Sequence, residues 1–107
     1  MMHTYKIVFR NLRTRTDFEI WEQPRACLDS RIFRLIRSVV ANEARDDFAK
    51  SFELRRVKLC FGSLVEARLF RDDERIGTVV GGVQSDGSAW TDIYANGKIQ
   101  PVRGWFA

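Results

Sequence analysis

Apolar and polar residues alternate from the start of the chain. Tyr5, Ile7 and Phe9 alternate with Lys6, Val8 and Arg10, which predicts a half-buried strand. Phe18 and Ile20 alternate with Asp17, Glu19 and Trp21 and predict a second one. Asn11 to Thr16 then forms a hairpin loop, and Gln23-Pro24-Arg25-Ala26 ends the sheet, because proline donates no ladder hydrogen bond.

The period changes after Leu28. Asp29 is a good N-cap, with Leu28 and Phe33 placed as a hydrophobic staple. Ile32, Leu35, Ile36, Val39 and Val40 recur at helical spacing. Beyond Ala41 the stripe moves: Glu43 and Asp47 fall on the formerly apolar face, while Ala44, Phe48 and Phe52 follow another. The pattern predicts a helix over about 30–50. It either breaks near Asn42 or packs its second half on a different partner.

Alternation resumes with Val57, Leu59 and Phe61 against Arg56, Lys58 and Cys60. Gly62-Ser63 reads as a turn. Val65, Ala67 and Leu69 alternate with Glu66, Arg68 and Phe70. Asp72-Asp73 makes another turn, and Arg75 to Val83 another strand. Ser85-Asp86-Gly87-Ser88 is a turn cluster, and Trp90 to Tyr94 and Lys98 to Val102 flank an Asn96-Gly97 hairpin signal. The order ββ-α-βββββ predicts an α+β fold: one long helix packed on a curved, mainly antiparallel sheet. Part of that sheet could close on itself or on a second copy.

At 107 residues, without repeats or linker-like stretches, residues 1–107 read as one compact domain. No run nears the roughly 18 apolar residues of a membrane span, and the N-terminus lacks a signal-peptide pattern. The expectation is a soluble, cytoplasmic protein. The net charge is +4. Residues 1–40 hold all of that surplus, with its densest run at Arg10, Arg13 and Arg15.

The chemistry-bearing residues are sparse. His3 is the sole histidine and reads as part of a frayed terminus, so Ser-His-Asp and Cys-His arrangements are set aside. Cys27 and Cys60 have no CxxC partner, and zinc needs about four ligands. Cys27 precedes a helix cap that could stabilise a thiolate, but its plainer reading is a small buried hydrophobe. Asp72-Asp73-Glu74 reads as a solvated turn, and Asp46-Asp47 lacks a histidine at helical spacing. Asp86 lacks the remaining ligands of a calcium loop. The glycines from Gly77 to Gly82 lack the ending of a phosphate loop and mark a bulge or bend. No catalytic, metal or cofactor site is expected.

What remains is a surface. With Tyr5, Ile7, Phe9, Phe18 and Ile20 toward the helix, the other sheet face carries Lys6, Arg10, Arg56, Lys58 and Arg68, with Trp21 and Phe70. Asp17, Glu19 and Glu66 lie on the same side. Arg13 and Arg15 extend this patch, and the apolar end at Trp105 should dock into the core, complete an edge strand or bury itself in a partner. Arginine and tryptophan favour protein interfaces. The same residues could bind nucleic acid through phosphates and stacking. In size and in lacking a catalytic constellation, the chain resembles the small inhibitors encoded by phages and mobile elements, such as anti-CRISPR proteins. That resemblance implies a non-enzymatic protein-binding module that occludes a partner surface. A nucleic-acid-binding domain is the alternative, and a homodimer stays open.

Overall fold

A computed structural model describes residues 2–55, 63–84 and 86–95. The predicted strand over 57–61, with Arg56 and Lys58, lies outside the described residues. So do the Asn96-Gly97 hairpin, the strand over 98–102 and Trp105.

The elements are β1 (His3–Asn11), β2 (Thr16–Arg25), α1 (Ser30–Arg55), β3 (Ser63–Arg71), β4 (Glu74–Val83) and β5 (Ala89–Ala95). They make the expected α+β fold: an antiparallel sheet in the order β2-β1-β3-β4-β5, with α1 on one face against β3, β4 and β5. Five strands are seen among the described residues, and the sheet stays open rather than closing on itself.

The core lies between α1 and the sheet. Ile7 and Phe9 of β1, Val65, Ala67 and Leu69 of β3, Val79 and Val83 of β4 and Ile93 of β5 meet Ile32, Phe33, Ile36, Val40 and Ala44. No residue of β2 is fully buried, whereas strand alternation in β1 and helical spacing in α1 bury one face of each, as the pattern predicts. Leu35 departs from it. It belongs to the apolar stripe yet is 55% exposed, because it lies on the flank of α1 beyond its cover of the sheet.

Helix α1 begins as expected. Asp29 Oδ1 accepts the Ile32 amide at 3.0 Å, and Leu28 packs beside the core that holds Phe33. The hydrogen bond from Ile32 holds the Asp29 carboxyl below its ordinary value of 3.8, with Arg25 and Arg31 adding to the effect. A group so lowered stabilises the fold above its unfolded pKa and loses that contribution as pH falls through the folded one. Asp29→Ala is therefore expected to lower the urea midpoint at neutral pH, by less than either substitution argued in the Discussion. The gap to wild type should close below pH 3.8.

One alternative about backbone continuity is decided and one expectation is corrected. Helix α1 runs unbroken through Asn42 to Arg55. The polar Asp47 on its inner face does not interrupt it, because the β1–β2 turn supplies hydrogen-bond donors there. Nor does Pro24 end the sheet: β2 continues through it, with Pro24 opposite Thr4. An edge strand tolerates proline where the missing N–H would face outward.

The turns follow their chemistry. Asp72 and Asp73 have φ of 50° and 67°, the left-handed pair that a tight β3–β4 hairpin requires. In the β1–β2 turn, Asn11 Oδ1 accepts the amides of Arg13 and Thr14 at 2.9 and 3.1 Å. Asp86 accepts the amide and hydroxyl of Ser88 before β5.

Candidate functional site

The β2 register decides which residues share a face. Ile7 stands opposite Trp21, Val8 opposite Ile20 and Phe9 opposite Glu19, but Arg10 stands opposite Asp17. Phe18 is the extra residue of a bulge at that point. A one-residue slip exchanges the faces of everything beyond it. Trp21 and Glu19 therefore lie on the helix side with Ile7 and Phe9, and Ile20 lies on the outer side with Val8. This reverses the sequence-based assignment of β2. Phe18 was placed correctly toward the core side, with its ring centroid 6.0 Å from that of Phe9.

The corrected outer face can be read in rows across β2, β1 and β3. One row is Ile20, Val8, Arg68; the next is Glu22, Lys6, Phe70; a third is Asp17, Arg10, Glu66. Ile20 is 59% exposed, and Val8 and Phe70 are partly exposed. Further along the Ile20 row come Thr78 and Tyr94. Ile20 and Val8 were missed as site residues, and only the bulge could have revealed Ile20. No helix among the described residues lies on this face.

Two of its three cations are ion-paired among the described residues. Arg10 Nη1 lies 3.0 Å from Asp17, and Arg68 Nε lies 2.6 Å from Glu66. Lys6 faces Glu22 across the ladder. Arg13, expected on this patch, turns to the other side. Its Nη2 and Nε donate to the Asp47 carboxylate at 2.6 and 3.0 Å, and Asn11 Nδ2 adds a bond at 3.1 Å. Burial raises the Asp47 carboxyl, but the hydrogen bonds and charge of Arg13, with Asn11, outweigh it and hold it below 3.8. Arg13 is thus a structural clamp between turn and helix. Arg15 sits exposed at the turn with φ 59°.

Two other residues are placed differently from expectation. His3 is not frayed. It opens β1, and its Nδ1 lies 2.6 Å from Asp72, which also accepts the Thr4 amide at 2.9 Å. The Thr4 amide, followed by His3, lowers the Asp72 carboxyl. Cys27 is exposed rather than buried, because Leu28 takes the place at the core rim. Among the described residues no three His, Cys, Asp or Glu side chains gather as a metal site, and no helix is long and apolar enough to cross a membrane.

On the helix side, Trp21 lines an apolar cleft of about 110 Å³ with Ile32, Leu35, Ile36 and Val39, and Glu19 at its rim. The cleft opens beside β2, where the sheet extends past α1. Compared with known protein families, curated proteins and solved structures, the chain matches none of them.

Proposed function

We propose that the chain is a small, cytoplasmic protein-binding module that acts by covering a partner surface through the outer face of β2, β1 and β3. The observation that carries this reading is the pairing of charges around an exposed apolar centre. Arg10 and Arg68 are each ion-paired with a carboxylate, Lys6 stands opposite Glu22 in the ladder, and Ile20, Val8 and Phe70 lie between them. Nucleic acid demands cations whose charge is still available to neutralise phosphates. A face with three cations against three carboxylates instead suits a surface of mixed sign with an apolar centre, which is how protein interfaces are composed.

The test is affinity capture with the wild type and with Ile20→Glu and Phe70→Ala, each checked for folding by circular dichroism. A protein recovered in stoichiometric amount with the wild type should bind about 30-fold more weakly to Ile20→Glu, the loss typical of a central interface residue. Capture that is indifferent to both variants would overturn the reading. A gel shift whose affinity falls steeply with salt would replace it with the nucleic-acid alternative.

A further inference from the structure

Among the described residues no strand pairs with the outer edge of β2, and this edge has a defined hydrogen-bonding phase. Both the amide and the carbonyl of Thr4 are engaged by Asp72, on the β3 side of β1. Alternation then turns Tyr5, Ile7 and Phe9 toward β2, where they face Gln23, Trp21 and Glu19. The backbone groups of Ile20 and Glu22, and the carbonyl of Pro24, therefore point away from the sheet. Pro24 fits this phase, since its nitrogen has nothing to donate.

The side chains along that edge carry a sign. Asp17, Glu19 and Glu22 stand against one cation, Arg25. Asp17 is engaged by Arg10, whereas Glu19 and Glu22 have no ion-pair partner within 4.0 Å among the described residues. Beside the edge, on the helix side, lies the cleft of Trp21 and the exposed Leu35.

We infer that the β2 edge and this cleft receive an extended, basic-aliphatic segment of a partner protein as a sixth strand of the sheet. The inference rests on the protein-binding reading and adds the partner's chemistry. Backbone bonds to Ile20 and Glu22 hold the added strand antiparallel, and alternating side chains supply selectivity. The residue opposite Trp21 is apolar and points into the cleft beside Leu35. The residue opposite Ile20 is aliphatic. Those opposite Glu22 and Glu19 are Lys or Arg. Strand β1 already meets β2 with much of this pattern: Lys6 faces Glu22, Ile7 faces Trp21 and Val8 faces Ile20.

Charge also selects against the other occupant of an open edge. A second β2 would bring three more carboxylates and one arginine to the seam. Glu19, a charge on the inner face, and Pro24 are the usual protections of an edge against indiscriminate pairing. Here they leave a partner strand that offers a cation opposite Glu19 and needs no donor from Pro24.

The probe is an acetylated, amidated peptide with the sequence of residues 4–11 carrying Phe9→Lys, which sets a cation opposite Glu19, titrated into the 107-residue protein and followed by two-dimensional NMR. Saturable shifts at the Ile20 and Glu22 amides and the Trp21 indole are expected. Glu22→Pro removes an outward N–H and should weaken binding about tenfold or more. Glu22→Lys, a surface change that leaves the backbone intact, should weaken it several-fold and favour a peptide with Glu in place of Lys and Arg.

No saturable shift at about 1 mM peptide overturns the inference. So does equal binding of the charge-reversed peptide, or a concentration-dependent dimer abolished by Glu22→Pro. Phe70→Ala, two strands in from the edge, separates the two proposals. It should weaken capture of the outer-face partner and leave peptide binding unchanged. Peptide failure with Phe70-dependent capture intact removes the edge inference alone.

Discussion

Asp47→Ala is expected to cost about 3 kcal/mol, read as a fall in the free energy of unfolding by urea at neutral pH. The carboxylate is 4% exposed and takes three hydrogen bonds from the Arg13 guanidinium and one from Asn11. Its removal takes these hydrogen bonds from Arg13 and strands the Asn11 amide, which is itself buried. Asp47→Asn keeps the volume and loses the charge, so about half the effect is expected from it. The two variants also differ in their acid behaviour. The Asp47 carboxyl is held below its ordinary value, so its contribution is complete above the unfolded pKa and lost as pH falls through the folded one. The gap between wild type and Asp47→Asn should therefore be constant near neutrality and narrow below pH 3.8. A gap that widens on acidification would show that the pair does not hold the turn to the helix.

Gly81→Ala should cost about 2–3 kcal/mol, although it adds a single methyl group. A Cβ at this position would fall on Val40 Cγ1 and lie 3.1 Å from the Trp90 carbonyl oxygen. Val40 is fully buried and β-branched, so it has no rotamer in which to retreat. The glycine in β4 is required by the approach of α1 to the sheet, and it lies opposite the register shift between Ser63 and Val65, in line with the expected bulge. The measurement that isolates this cause is a double-mutant cycle with Val40→Ala. The paired substitution should be more stable than the two single costs predict, by about 1 kcal/mol or more. Additive costs would assign the effect of Gly81 to something other than Val40.

Much of the fold was legible because short-range signals agreed with one another. The alternation of Tyr5, Ile7 and Phe9, the cap at Asp29 and the Asp72-Asp73 turn each carry their own mechanism. Each is found where its mechanism puts it. The failures share a different origin. Whether the helix broke near Asn42 stayed open because the partners of Asp47 on its inner face, Arg13 and Asn11, lie more than 30 residues away in sequence. Pro24 looked like the end of a sheet because edge position is a property of strand order, which no local pattern records. The largest error came from the bulge at Phe18. Nothing in Asp17-Phe18-Glu19 marks it, yet it sends Trp21 inward and Ile20 outward.

The candidate site was legible in composition and not in arrangement. Arg10, Arg68 and Phe70 share a face as expected, but Arg10 and Arg68 are matched by Asp17 and Glu66. The net charge of +4 thus misdescribes the surface on which it was expected to act. Charge pairs form across strands and within turns, and counting along a chain does not see them.

Of the described elements, strand β1 is made before the others and yet occupies an inner position in the sheet, between β2 and β3. During synthesis it can zip to β2 at once, since only a four-residue turn separates them. Its other side must wait until residue 71 has left the ribosome. For that interval the hairpin offers Ile7 and Phe9, and one unpaired flank of β1, to whatever else is nearby. Such intermediates are where aggregation begins. The order of translation therefore makes the arrival of β3, more than the stability of the finished sheet, the step on which yield depends. Truncation before Ser63 should leave an insoluble fragment, although both strands of the hairpin and the whole of α1 would be present.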